Sequence, residues 1–401
     1  MAETIVLILL VLFALGAALV FGVDFLFYLK DRYCRFHIGR WPDPAAWQRK
    51  VEDRAVRWLR HTPTVKITDN CRYMLLDFLT GRYRSHTIQS WQKGALLLAM
   101  LESGRPELAR RARQAAASLL DGAGDWKVPP AAVDCGLLSC AVLLACGPQA
   151  ARPALERAAA VIEGQRHESG MLCYTRGNTS PDMYVDTLGL ACPFLALWGK
   201  TCGRPELEEM AVFQLETFHR YGMLPGTALP NHAFHIGTKL PLGVYGWGRG
   251  TGWYVIGLLD TYRNVTDPAH RERLLALLLE AAEDYRRFQR PDGGFGSTLQ
   301  RMDTYDSSAT AVLAWFYLSC GEIFGREDYE EIGGRCLDKL RGVTRITGAI
   351  DWCQGDTKGI GIFAQTYDIM PFAQGMALRA LYQQDRILRR RAGAGTGEAH
   401  G

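Results

Sequence analysis

The chain has 401 residues, 48% of them hydrophobic and 22% charged, which supports a large core and excludes a disordered polymer. Its formal net charge is only +4 and its basic residues form no stripe interleaved with aromatics, so nucleic acid is not an expected partner. Eleven scattered cysteines, with no CxxC pair and no Cys/His spacing suited to zinc, read as buried thiols of a reducing compartment rather than as disulfides or metal ligands.

The first predicted element is a membrane helix. Residues 5–23 carry no charge, and after Asp24 the apolar character resumes to Leu29 before Lys30. That length spans a bilayer. A cleaved secretory signal would begin with basic residues and end in small ones, whereas here Glu3 stands at the start and the exit is bulky. Residues 1–30 are therefore expected to be an uncleaved anchor. Lys30, Arg32, Arg35 and Arg40 follow it, and the positive-inside tendency puts the rest of the chain on the cytoplasmic side of the cell's inner membrane. Asn178-Thr179-Ser180 and Asn264-Val265-Thr266 match the glycosylation pattern, but Pro181 disfavours the first and the topology outweighs both.

Residues 31–84 are expected to form a juxtamembrane linker and first helices. From 85 to 386 one helical pattern follows another, with almost no alternating β-branched stretches. Apolar segments begin near Trp91, Asp134, Asp186, Gly250, Ser308 and Gln365. Charged, amphipathic segments lie between them, at 105–120, 151–164, 205–220, 268–290 and 327–341. Helices apolar all round belong inside and amphipathic ones outside. Six of the first alternating with about six of the second predict an all-α fold, an (α/α)6 barrel of helical hairpins closed into a ring. Residues 387–401 read as a disordered tail, basic and rich in glycine.

In such a ring the loops entering the inner helices gather at one end, where chemistry is expected. Asp134 and Asp186 stand at two of these entrances, each followed by an almost wholly apolar helix. An Asp there is often only an N-cap. Two carboxylates in one dry cavity can instead acquire different pKa values, one able to give a proton and the other charged, as acid–base chemistry on a sugar requires. The turn Trp247-Gly248-Arg249-Gly250-Thr251-Gly252-Trp253 offers indole faces for a sugar ring and a guanidinium for its oxygens; the same tryptophans could equally fill the core. Tyr184 and Trp91 are aromatic at other entrances, and Ser308 opens a later one. His232 and His235 lie in the loop before the Trp-rich turn, either to bind hydroxyls or to face water.

Together these segments resemble the unsaturated glucuronyl and rhamnogalacturonyl hydrolases, glycoside hydrolase families 88 and 105, over roughly residues 85–385. The Trp247–Trp253 turn is similar to the family's Trp-x-Arg-Gly-Asn-Gly-Trp, with Thr251 in place of Asn. The stretch YVDTLGLACPFLAL from Tyr184 is similar to its aromatic-x-Asp-x-Leu block, DSSATA from Asp306 to a helix entrance, and Gln374-Gly375-Met376-Ala377-Leu378 to its closing motif; residues 351–361 add support. The resemblance implies an (α/α)6 barrel that hydrates the C4=C5 bond of a terminal unsaturated uronic acid, with no metal or organic cofactor. It implies Asp186 as general acid and base, Asp134 as the second essential carboxylate, Arg249, Trp253 and Tyr184 as sugar-binding residues, and His232 or His235 as the loop histidine. An anchored member suggests a lipid-linked glycan or polysaccharide assembly proteins as partners. Two alternatives remain at this point. One is a tethered glycan-binding or scaffolding protein that has lost catalysis. The other is a different toroid enzyme, since QRPDGGFG from Gln289 is similar to repeats of terpene cyclases, although no DxDD or DDxxD cluster accompanies it.

Overall fold

The structure, a computed structural model, describes residues 1–61, 63, 69–80, 90–174 and 181–397. The Asn178 acceptor pattern lies outside the described residues. In chain order the helices are α1 (Ala2–Phe36), α2 (Pro44–Arg60), α3 (Met74–Leu79), α4 (Ser90–Glu102), α5 (Pro106–Ala117), α6 (Cys135–Cys146) and α7 (Arg152–Glu163). They continue as α8 (Val185–Cys202), α9 (Pro205–Gly222), α10 (Gly248–Tyr262), α11 (Pro268–Tyr285), α12 (Ser307–Phe324), α13 (Glu327–Gly342) and α14 (Pro371–Gly397).

Helices α4, α6, α8, α10, α12 and α14 each pack on the next, and α14 closes back on α4. This is the inner ring. Its members are apolar around their whole circumference: every residue of α10 is buried, as is α12 from Ser307 to Gly321. Glycines let the ring draw tight. A Cβ added at Gly136 of α6 would lie 2.1 Å from the Leu190 carbonyl oxygen of α8, and one at Gly375 of α14 would lie 2.6 Å from the Ala95 backbone of α4. Helices α2, α5, α7, α9, α11 and α13 form the outer layer, and five of these six carry proline in their first turn, where its missing N–H is not needed. The (α/α)6 barrel expected from the alternation is the architecture observed.

Three boundaries differ from the sequence reading. The segment 31–84, expected as a juxtamembrane linker and first helices ahead of the barrel, contains the barrel's sixth outer helix: α2 packs on α14, α4 and α5, burying Trp47, Val51, Ala55 and Trp58. The last inner helix begins at Pro371 rather than near Gln365, because Tyr367–Asp368 first pairs with Cys353–Gln354. Helix α14 also continues through Gly397, into the stretch expected to be a disordered tail.

Short strands decorate the end where the inner helices start. β1 (Asp182–Tyr184), β2 (Ala233–His235) and β3 (Pro241–Leu242) form one antiparallel sheet, and β4 (Cys353–Gln354) pairs with β5 (Tyr367–Asp368). Helix α1 is long and apolar enough to cross a membrane, buries none of its residues and packs on α3; a signal sequence has the same two properties. All eleven cysteines are free thiols, six of them buried, and burial pushes the Cys135 and Cys336 thiols up to about 12.

Candidate active site

Three inner helices begin with an aspartate in or before the first turn, and the three behave differently. Asp306 is an ordinary cap: its carboxylate accepts the Ser308 and Ala309 N–H groups at 3.0 and 3.2 Å, the Ser308 hydroxyl at 2.6 Å and the Gln354 N–H at 3.0 Å. Asp134 precedes α6 yet makes no side-chain cap bond; instead it accepts the Ser90 hydroxyl from the start of α4 at 3.0 Å. Burial raises its pKa, and the Ser90 bond only partly opposes this. Asp186, the second residue of α8, has a buried Oδ2 with no hydrogen-bond partner.

Burial dominates at Asp186. It pushes the carboxyl up to about 7, against the pull of the Arg249 guanidinium and with a smaller push from Asp356. The side chain as a whole retains 16% exposure, although Oδ2 itself is buried. A carboxyl that titrates near neutrality can both donate and accept a proton at the same pH.

The small sheet brings a histidine to this group. Tyr184 of β1 pairs with Ala233 of β2, and the Val185 N–H donates to the His232 carbonyl at 3.0 Å, which holds His232 beside the start of α8. Its Nε2 lies 3.6 Å from Asp186 Oδ2. The Gly361 N–H donates to His232 Nδ1 at 3.2 Å, so Nδ1 must be bare and the ring proton sits on Nε2, facing the carboxyl. Burial first, then Arg249, pulls the imidazole down to about 4 and keeps it neutral at physiological pH. His235 is held by the sheet opposite Asp182. Its Nδ1 accepts the Thr238 N–H at 3.1 Å, and it serves the turn that follows β2.

Arg249 is anchored rather than free. It is 1% exposed, donates to the Gln354 and Gly355 carbonyls at 2.7 Å each, and approaches Asp356 at 3.8 Å. The fork expected to grip sugar oxygens thus fastens the loop after β4 to the start of α10, and its charge acts on Asp186 and His232. The tryptophans are likewise packed. Trp247 packs on His232 with the rings tilted and their centroids 4.7 Å apart, and donates to Gln354 Oε1 at 3.2 Å. Trp253 of α10 meets Trp91 of α4 edge-on at 5.5 Å, across the ring, with Phe372 of α14 against both at 4.6 and 5.3 Å. These three rings are buried. Ser308, expected to contact substrate, is fully buried with its hydroxyl spent on Asp306. Thr251 turns its hydroxyl back to the Trp247 carbonyl at 3.1 Å.

Residues that the sequence reading did not single out complete the site. Tyr174 lies close enough to Asp134, Asp186 and Asp356 for all three to add to the rise that burial gives its pKa, and its ring packs on Tyr184 at 5.3 Å. Tyr184, half-buried, presents its edge to His232 at 5.8 Å. Phe363 lies against His232 and Trp247, each at 5.4 Å. The site therefore gathers Asp186, His232, Tyr184 and Tyr174 around an anchored Arg249, with Asp134 on the neighbouring helix.

The sequence profile of Glycosyl Hydrolase Family 88 matches residues 67–333. The chain belongs to this family. Family 88 membership makes it a glycosidase, and the matched residues include both aspartates, both histidines and the Arg249 turn. No functionally curated protein matches the chain in sequence. Solved structures share the family 88 fold of this chain. A possible family 105 member from Klebsiella pneumoniae superposes with a TM-score of 0.70 at 20% identity, covering 87% of this chain and 95% of the other. An unsaturated glucuronyl hydrolase specific for heparin gives 0.66 at 16%, covering 86% and 98%. An unsaturated glucuronyl hydrolase from Bacillus sp. GL1 gives 0.62 at 18%, covering 85% and 97%. The family 88 profile ends before α14, so it covers neither the closing helix nor the loop that holds Arg249.

Proposed function

We propose that this protein hydrates the C4=C5 bond of a 4,5-unsaturated uronic acid at the end of an oligosaccharide and thereby releases that sugar. The Asp186 carboxyl gives its proton to C4, and positive charge develops at C5 and the ring oxygen. The resulting carboxylate takes a proton from water as the water oxygen bonds to C5, which restores the acid. The C5 hemiketal then opens by breaking its bond to the ring oxygen, and the hemiacetal left at C1 collapses to an aldehyde and the free aglycone alcohol. One water is consumed and no redox partner is required.

What carries the reading is the single unpartnered oxygen of Asp186, on a carboxyl held near neutral pKa, facing the Nε2–H of a neutral histidine. His232 can donate to that carboxylate or to the water, but cannot compete for the proton. Asp134, also raised, supports a second acid near the same sugar. Tyr184 and Tyr174 offer hydroxyls and ring faces for its binding. Arg249 moderates the carboxyl: without its charge Asp186 would hold its proton more tightly.

Helix α1 acts as a membrane anchor in this reading, with the barrel on the cytoplasmic side, supported by its length and the cations that follow it. An oligosaccharide or lipid-linked glycan held at the membrane is the matching substrate. The test is direct. Purified protein is given an unsaturated uronyl disaccharide and its saturated counterpart, and loss of the ultraviolet absorbance of the conjugated double bond is followed. Turnover of the first alone, abolished by Asp186→Asn, is expected; binding of both without turnover would instead make the chain a glycan-binding member.

A further inference from the structure

Helix α1 buries none of its residues, yet its apolar run is interrupted at Asp24. That carboxylate has partners. Its Oδ2 accepts the Tyr73 N–H at 2.7 Å and its Oδ1 the Met74 N–H at 2.9 Å, so a residue of α1 caps the start of α3. Phe21 packs on Tyr73 and Phe27 on Phe78, with centroids 6.0 and 5.9 Å apart. Helix α3 therefore runs alongside residues 21–27 of α1. Its outward side is apolar, with Leu76 and Leu79 exposed by 49 and 74%.

The level of this pair along α1 is informative. A hydrocarbon core of about 30 Å takes about 20 helical residues, so a span starting near residue 4 reaches its boundary near Asp24. Beyond that point Lys30 and Arg32 lie over the Phe27 and Tyr28 rings at 5.7 and 5.1 Å, an aromatic and cationic belt suited to the headgroup region. Exposed leucines beside such a belt sit where headgroups meet acyl chains, and there helix N–H groups are costly unless capped, as Asp24 caps them.

The same unit is tied to the mouth of the cleft. Arg35, at the end of α1, donates to Asp351 at 2.9 Å and to the Tyr367 carbonyl at 2.7 Å. Asp69, before α3, accepts the Gln365 N–H at 3.0 Å and pairs with Lys358. Both ties end in residues 351–367, the stretch that also holds Arg249.

We infer that α3 is a second bilayer-seated element, clipped to α1 through Asp24, and that the pair holds the rim of the cleft at the membrane surface. The inference rests on reading α1 as a membrane span. The partner is the boundary between headgroups and acyl chains, and the site is thereby presented to glycans held at the bilayer.

The test uses the full chain in nanodiscs of phosphatidylcholine and phosphatidylglycerol, with a benzophenone amino acid placed at Leu12, Leu79 or Leu144 in turn. Leu144 is 51% exposed at the far end of the barrel. Lipid adducts are expected at positions 12 and 79 and not at 144. Adducts at 12 without adducts at 79, adducts at 79 to protein instead of lipid, or equal adducts at 144 overturn the seating of α3; no adduct at 12 overturns the anchor itself. With the probe at 79, Asp24→Ala is expected to reduce the lipid adduct several-fold while turnover of a soluble unsaturated disaccharide in detergent persists. An undiminished adduct in that active variant overturns the Asp24 clip.

Discussion

The two ends of the barrel handle buried charge in opposite ways. At the far end, Glu102 closes α4 and Asp260 lies in the last turn of α10, where helix dipoles disfavour anions. Arg379 of α14 answers both. Its guanidinium reaches Glu102 at 2.7 and 2.9 Å and Asp260 at 2.9 and 3.0 Å, and lies 4.1 Å over the Trp315 ring. Burial opposes its charge, and the two carboxylates more than restore it. At the cleft end the dipoles favour anions, yet Asp186 is left with an unpartnered oxygen and burial prevails. The barrel is locked where charges are paired, and the proposed reaction takes place where one is not. Charge pairing holds opposite members of the ring together at one end, and its withholding stores a proton at the other.

The largest effect is expected from Asp186→Asn, which should lower turnover of the unsaturated disaccharide by about 10²–10⁴-fold, the usual worth of a general acid and base. The same variant should be more stable than its parent at high pH. The raised folded-state value means that the native protein holds a proton which the unfolded chain has released; stability present below about pH 4 is lost as pH rises through 7. At about 1.4 kcal/mol per unit, the asparagine gains up to about 4 kcal/mol at pH 8 and little at pH 4. Urea unfolding at the two pH values measures the gain, and an equal effect at both would break the contrast between the ends.

Arg379→Met tests the other end. Removing one member of a buried charge cluster typically costs 3–5 kcal/mol, because the abandoned carboxylates stay buried. A drop in unfolding free energy of about that size is expected, with the pH optimum of surviving activity unchanged. A shift in that optimum would mean that the two ends are coupled.

Much of the scaffold was legible in the sequence because helices buried on all sides cannot hide their composition: the runs after Asp134, Asp186 and Asp306 mark inner helices without further information. Helix α2 was harder to place, since its five buried residues sit among twelve others whose charges match a membrane-proximal linker. Both cleft carboxylates were visible as helix-entrance aspartates, but their difference from Asp306 was not. Asp306 finds Gln354, 48 residues away, whereas Oδ2 of Asp186 finds no hydrogen-bond partner. Only the folded chain decides which aspartate is a cap. The tryptophans of the Trp247–Trp253 turn posed the same problem, because a pattern of indoles and glycines is identical whether the rings face sugar or core. Arg249 is held by partners 105 and 106 residues away, beyond the reach of any local pattern.

The two loop histidines give the next contrast. His232→Ala removes the Nε2–H that faces Asp186 and should lower kcat/KM by about 10–100-fold, on the scale of one buried hydrogen bond to a charged group. His235→Ala only loosens an exposed turn and should stay within twofold. Equal losses would move the site away from His232.

The smallest effect sharpens how the cleft end sets its proton affinity. Asp356 pushes the Asp186 value up, so Asp356→Asn removes that push. It also leaves the Arg249 guanidinium, 3.8 Å from Asp356, with less negative charge beside it, and Arg249 pulls Asp186 down. Both consequences have the same sign. The form of Asp186 that gives a proton to C4 should therefore be lost at lower pH, and the alkaline limb of kcat/KM, expected near 7 in the parent, should move toward acid by a fraction of a unit. Because Gln354 and Gly355 still hold Arg249 through their carbonyls, the plateau rate should be preserved. A limb that moves toward alkali would show that Asp356 acts by holding the loop rather than by its charge.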